Sequence, residues 1–151
     1  MNKETKTNRY QRAVIQISDL LQKTTDPFAR MSTVAAILHH KFDYFFWTGF
    51  YSLVEGELTV CSYQGSLACL VLAKHSGVCW AAIDQNRTII VRDVQQFPGH
   101  IACDSRSRSE IAVPIRKDGK IVAVLDVDSK SLDSFDEVDA ANLEKIVDLI
   151  F

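Results

Sequence analysis

The sequence predicts an α+β fold: a central, mostly antiparallel sheet with helices at both ends of the chain. Three observations carry this. Apolar residues recur at helical spacing through the first forty or so positions. The middle of the chain then alternates with a period of two and is broken by turn signals such as Glu55-Gly56 and Asp118-Gly119. A capping signal and a second run of helical spacing close the chain. Helices gathered at the ends of an antiparallel sheet describe an α+β domain.

Residues 1–7 are polar and are expected to be flexible, with a single domain over 8–151. From Asn8 the apolar residues Tyr10, Val14, Ile17 and Leu21 predict a helix. Thr24-Thr25-Asp26-Pro27 interrupts it; Asp26 suits an N-cap and Pro27 a first turn. Met31, Val34, Ala35 and Leu38 give the second helix one apolar stripe, with His39 and His40 near its end. Residues 44–54 read as an aromatic-rich strand in which Trp47, Gly49 and Tyr51 share a face. Gly49 between two rings offers a gap that a ligand could enter, with core packing as the default for such rings. After the Glu55-Gly56 turn, Glu57–Gln64 returns as a strand with Cys61 as a buried, inert thiol.

Gly65 to Ser76 is a long connection that carries Cys69. Ser76 suits a cap for a short helix over Gly77–Gln85, ended by Asn86-Arg87. Cys79 falls in its first turn, where the helix dipole would lower a thiol pKa. Thr88–Val91 is a short strand of β-branched residues. A polar loop with Gly and Pro follows, from Phe97 to Glu110, and it holds Cys103. Loops of this length inside a domain are functional or disordered. Two readings stand for Cys103: a working thiol, or a thiol that happens to lie on a surface loop.

Ser109–Arg116 and Lys120–Ser129 form a hairpin, and its register decides what faces what. A two-residue Asp118-Gly119 turn would pair Lys117 with Lys120 and put Glu110 opposite in face to Asp126 and Asp128. A three-residue loop with Gly119 as a bulge residue pairs Arg116 with Lys120. That version gathers Ile111, Val113, Ile115, Ile121, Ala123, Leu125 and Val127 on one clean apolar face. It is therefore the expected register. Glu110, Asp126 and Asp128 then meet on the other face, and close carboxylates raise one another's pKa when desolvated. Ser134-Phe135-Asp136-Glu137 reads as a capping box before the last helix, whose Leu143, Ile146, Val147 and Ile150 face inward.

Composition narrows the function. The chain has 151 residues, 47% hydrophobic and 24% charged, with a net charge of -2. It has no basic cluster, which argues against nucleic acid, and no apolar run of membrane-spanning length. The polar start leads into no signal-peptide core, so a cytoplasmic location is expected. There, the four cysteines are expected to be buried hydrophobes, metal ligands or redox groups rather than structural bridges. His100 and Cys103 have zinc-like spacing, but no second pair joins them, and no metal is expected. A Cys-His hydrolase with His75 or His100 as base would leave the other cysteines and the carboxylates idle. A redox reading uses more of the chain: an accessible thiol that becomes a sulfenic acid, a second thiol to condense with it, and a carboxylate held neutral to protonate a leaving oxygen.

Five ordered motifs make a family resemblance specific: Trp47-Thr-Gly-Phe-Tyr51, Gly77-Val-Cys79, Phe97-Pro-Gly-His-Ile-Ala-Cys103-Asp104, Ser109-Glu110-Ile-Ala-Val-Pro114 and Val124-Leu-Asp126-Val-Asp128-Ser129. From about residue 8 to the end, the chain resembles the free methionine-(R)-sulfoxide reductases, which are built on a GAF domain. The resemblance implies reduction of free L-methionine (R)-S-oxide to methionine. It implies Cys103 as the attacking thiol, Cys69 as the main resolving thiol and Cys79 as a third redox cysteine. It assigns Trp47, with Tyr51 beside it, to the substrate methyl, and Glu110 and Asp128, supported by Asp126, to the sulfoxide oxygen. It further implies no bound cofactor, a homodimer, and thioredoxin, recharged by thioredoxin reductase and NADPH, as the external reductant. Trp80 follows Cys79 where the family pattern has glycine, which bears on how Cys79 moves. The Cys103 pKa is expected to be lowered by loop amides, Arg106 or Arg108. The alternative function is a non-catalytic GAF module that senses a small molecule, with a homo-oligomeric interaction protein as a third reading.

Overall fold

A computed structural model of the chain describes residues 1–100 and 102–151. Helices α1 (Lys3–Leu21) and α2 (Pro27–Lys41) come first. Strands β1 (Trp47–Val54), β2 (Glu57–Gln64) and β3 (Val71–Leu72) follow, then helix α3 (Gly77–Gln85) and strand β4 (Ile89–Val91). The hairpin strands β5 (Ser109–Lys117) and β6 (Lys120–Ser129) and helix α4 (Glu137–Val147) complete the order. The six strands form one sheet, ordered β3-β2-β1-β6-β5-β4, and every neighbouring pair is antiparallel. The expected α+β architecture is therefore the one observed.

Each face of the sheet has its own core. On one side Phe50, Ile111, Val113, Ile115, Leu125 and Val127 pack under α1, α2 and α4, with Tyr10, Ile17, Met31, Leu38, Leu143 and Ile146 fully or almost fully buried. On the other side Trp47, Tyr51, Leu58, Ala112 and Val124 meet Val78, Cys79, Trp80 and Ala82 of α3. Side chains alternate across a strand, so the positions between the first set supply the second. The functional residues proposed from the sequence belong to that second face.

The chain is ordered earlier than its polarity suggested. The helix starts at Lys3, capped by Asn2, whose side chain accepts from the Thr5 amide at 2.8 Å. The expected flexible segment 1–7 is corrected by one contact: Lys6 is buried and reaches Asp139 at 2.7 Å and Asp136 at 3.0 Å. A polar residue reads as frayed in sequence, and a distant pair of carboxylates makes it an anchor. Asp26 and Pro27 cap α2 as expected. The first strand begins at Trp47, and the connection after β2 contains the short strand β3. The capping box of α4 lies two residues further on than Ser134: Asp136 accepts from the Asp139 amide and Asp139 accepts from the Asp136 amide. Ser134 instead donates to the hydroxyl of Ser129 and the carbonyl of Ser131.

The hairpin register needs correction in its cause and not in its outcome at the site. The turn is the two-residue one, pairing Lys117 with Lys120, and Asp118 and Gly119 both take positive φ (53° and 78°). A bulge then adds Val122 to β6, because Ile115 pairs with Ala123 while Arg116 pairs with Ile121. One extra residue restores the face parity that the two-residue turn would have lost, so Glu110 pairs with Asp128 and Ala112 with Asp126. Near the turn the faces exchange: Val122 joins the helical core and Ile121 does not.

Candidate active site

The second face carries its polar groups on adjacent strands. β1 brings Trp47 opposite Asp128 and Gly49 opposite Asp126, while β5 brings Glu110 opposite Asp128. Trp47 stacks on Tyr51 and Tyr63, with ring centroids at 5.9 and 5.3 Å, and its indole N–H donates to the Ser66 carbonyl at 3.0 Å. Gly49 leaves no gap for a ligand, a second correction: a Cβ there would run into Tyr63 and the Trp47 ring. Glycine is required for the stack itself. The opening lies further along the face, in a cavity lined by Trp47, Tyr51, Cys79, Cys103, Glu110, Asp126 and Asp128.

Glu110 and Asp126 are buried, and Asp128 is only partly exposed. Among the described residues no basic side chain pairs with any of the three; His100 Nδ1 comes only to 3.8 Å from Glu110. Burial pushes all three carboxyl groups up, and their mutual repulsion adds to it for Glu110 and Asp128. Burial raises Asp126 to about 6, against hydrogen bonding from Glu110 and Cys79 that pulls it down. Asp126 Oδ1 is buried without a hydrogen-bond partner. The cluster therefore holds at least one proton at neutral pH and offers an oxygen to a guest. His100 is pushed below its ordinary value by burial, so it is neutral there.

Cys79 sits under these acids. Its Sγ and one oxygen each of Glu110 and Asp126 lie within 4.8 Å of one another. Burial raises its thiol pKa strongly, and Asp126, Glu110 and Asp128 raise it further. The helix-dipole expectation is overturned: at the start of α3 a buried thiol facing acids stays protonated, because desolvation and like charge outweigh a partial helix charge. These three atoms are also the donors among the described residues that could reach one metal ion. Glu110 and Cys79 hold on to protons, which a cation would have to displace.

Over the cavity, Cys69 and Cys103 are joined by a disulfide with Cα atoms 5.5 Å apart. Cys103 is exposed and Cys69 half-buried. Bridged as it is, Cys103 cannot join His100 as a ligand. Arg106 is engaged elsewhere: it pairs with Asp104 at 2.7 Å and lies over the Phe46 ring, and it holds the Asp104 carboxyl well below its ordinary range. Cys61 is half-buried rather than buried, and its sulfur lies 3.2 Å from both the Phe50 carbonyl and the Ser52 hydroxyl, on the helical side of the sheet.

The sequence matches the GAF domain family over residues 17–150. The chain belongs to the GAF domain family. It is 44% identical over 151 residues to GAF domain-containing protein A of Dictyostelium discoideum, covering 99% of this chain and 95% of that protein. It is 34% identical over 128 residues to the free methionine-R-sulfoxide reductase of Escherichia coli, covering 85% of this chain and 78% of that one. Its fold is similar to the crystal structure of free methionine-R-sulfoxide reductase from Neisseria meningitidis in complex with its substrate, with a TM-score of 0.93, 38% identity, and 99% and 89% of the two chains covered. The resemblance drawn from the five motifs is thus repeated over nearly the whole chain.

In this GAF domain one cavity gathers all eight residues singled out from the sequence: Trp47, Tyr51, Cys69, Cys79, Cys103, Glu110, Asp126 and Asp128 lie in or directly over it. Two further groups belong to the cavity: His100, which the sequence offers only as a base or a zinc ligand, and Ser107, which it does not single out. His100 faces Glu110, and Ser107 lines the cavity together with Asp128. His100 stands inside the quoted Phe97–Asp104 motif, three residues before Cys103, which is a signal that was available. Ser107 sits in a serine-arginine run that resembles any solvated loop.

Proposed function

We propose that this GAF domain reduces free L-methionine (R)-S-oxide to methionine. The observation that carries the reading is a bridged cysteine pair lying over buried carboxylates that lack compensating charge, beside a stacked pair of aromatic rings. Such acids are costly to a fold and have a use when a polar guest must receive a proton. The R preference is supported by the named activity of the E. coli and N. meningitidis relatives.

In the reduced protein, the Cys103 thiolate attacks the sulfoxide sulfur. Trp47, with Tyr51 stacked beside it, receives the methyl group. Glu110 and Asp128, with Asp126 in support, donate the proton that the sulfoxide oxygen needs. Methionine leaves, the oxygen stays on Cys103 as a sulfenic acid, and Cys69 condenses with it to give the disulfide and water. Thioredoxin, recharged by its reductase and NADPH, returns both thiols, so no bound cofactor is needed. Cys79, whose sulfur lies within 4.8 Å of carboxylate oxygens of Glu110 and Asp126, serves as a third redox cysteine. The domain works as a homodimer in the cytoplasm.

Turnover of the R and S epimers with thioredoxin, its reductase and NADPH tests this. NADPH oxidation with the R epimer, lost in Cys103→Ser, is the expected result. Silence with both epimers in folded, reduced protein overturns it and leaves a sensor module as the reading.

A further inference from the structure

Three large apolar side chains stand out beside the disulfide. Leu67 is 82% exposed, Leu70 75% and Val71 47%, and they bracket Cys69 in sequence. The segment is fixed to the body, since the Leu70 carbonyl accepts from the Val60 amide at 2.9 Å and Val71 pairs with Thr59. β3 also lies at one end of the sheet, so its outer backbone edge has no strand partner among the described residues. Other exposed apolar residues, such as Ile15, Phe28 and Val54, do not flank a cysteine in sequence.

We propose that Leu67, Leu70 and Val71 form the docking surface for the protein dithiol that reopens the Cys69–Cys103 bridge. The inference rests on the reductase reading only in that the bridge must be reopened in every cycle. A thiolate must approach one bridged sulfur in line with the S–S bond, so whatever covers this patch must come and go. That argues against a permanent subunit interface here. Size points the same way. Three side chains expose on the order of a few hundred Å², while a stable interface buries roughly 800 Å² per partner. An apolar patch beside a free strand edge suits a transient partner that lays an extended segment along β3.

The exchange balances without a further reactant. A partner thiolate attacks one bridged sulfur and expels the other as a thiolate, leaving a mixed disulfide. The partner's second thiol, on losing its proton, attacks that mixed disulfide and releases the chain. Two electrons pass from the partner's dithiol to the bridge, and each freed thiolate takes up one proton.

The test uses the oxidised full chain and follows the rate at which its disulfide is reduced, with no sulfoxide present. Leu67 also lines the mouth of the cavity, so the variant is Leu70→Ser with Val71→Thr, and Phe28→Ser is the control for an exposed apolar residue elsewhere. Thioredoxin should reduce the double variant at least about tenfold more slowly than the parent, with Phe28→Ser unchanged. Dithiothreitol, which needs no docking surface, should reduce all three within about twofold. Equal thioredoxin rates for parent and double variant overturn the proposal. So does a double variant that changes from dimer to monomer while its thioredoxin rate holds, because the patch is then a subunit contact. If thioredoxin and dithiothreitol slow together, the bridge itself has been disturbed and the docking role is rejected. Failure of the reductase reading appears separately, as absent sulfoxide turnover in the parent with dithiothreitol.

Discussion

The two faces of the sheet both bury acids, and their neighbours treat those acids in opposite ways. Under the helices, Asp139 is fully buried and accepts from Lys6 at 2.7 Å, Tyr10 at 2.7 Å, Tyr44 at 2.6 Å and the Asp136 amide at 2.8 Å. Burial alone would depress the Lys6 pKa, but its hydrogen bonds to Asp139 and Asp136 hold it above the ordinary value. On the α3 face, Glu110, Asp126 and Asp128 face one another and a protonated thiol. The first cluster is built like a structural tie, with every lone pair of Asp139 occupied. The second leaves Asp126 Oδ1 without a partner. Burial of an acid is therefore not the mark of a site; burial without compensation is.

The sharpest way to break this contrast is Glu110→Gln. It removes a proton donor from the second cluster, and single-turnover reduction of methionine sulfoxide should fall by about 10²–10⁴, as expected for loss of a general acid. An unchanged rate would mean the acids do not serve chemistry. In the first cluster Lys6→Met should lower stability by about 3–5 kcal/mol, because it strands a buried carboxylate. Denaturant unfolding measures that loss, and the rate per folded molecule should hold. A smaller effect of opposite sign is expected for Asp126→Asn. The folded pKa of Asp126 is raised to about 6, so its cost is absent below the ordinary carboxylate value and grows as pH rises through 6. The variant should be more stable than the parent by on the order of 1–3 kcal/mol at pH 8, with the difference fading near pH 4. Thermal melts across that range would show the wrong trend if the acid were charge-compensated. The mildest change is Tyr44→Phe, which takes one donor from Asp139 while the others remain. It should cost about 1 kcal/mol by chemical denaturation.

Several parts of this arrangement were open to sequence reasoning. The apolar stripe of α2 and the Asp26-Pro27 start follow from spacing and capping chemistry alone. Alternation along β5 and β6 separated the apolar face from the acid face, even though the turn was misjudged. It succeeded because burying Ile111, Val113, Ile115, Ala123, Leu125 and Val127 together is a stronger constraint than turn type, and the bulge at Val122 is how the chain satisfies both. The cysteine loop stood out because its composition excludes a core role. Lys6 was illegible, since nothing near position 6 reports on Asp136 and Asp139 more than a hundred residues away. Cys79 was misread for a related reason: a helix start is local, and the acids that face it are not.

What the sequence determined by itself is whatever depends on neighbours in the chain: the Asp26-Pro27 start of α2, strand alternation and the order of the five motifs. Tertiary structure decided the rest. It set the bulge that returns Glu110 to the side of Asp128, the pairing that compensates Asp139, the protonation of Glu110, Asp126 and Cys79, and the meeting of Cys69 with Cys103. The physical reason is range. Capping and alternation act over a few residues, whereas desolvation and charge coupling depend on which distant segments close over a group.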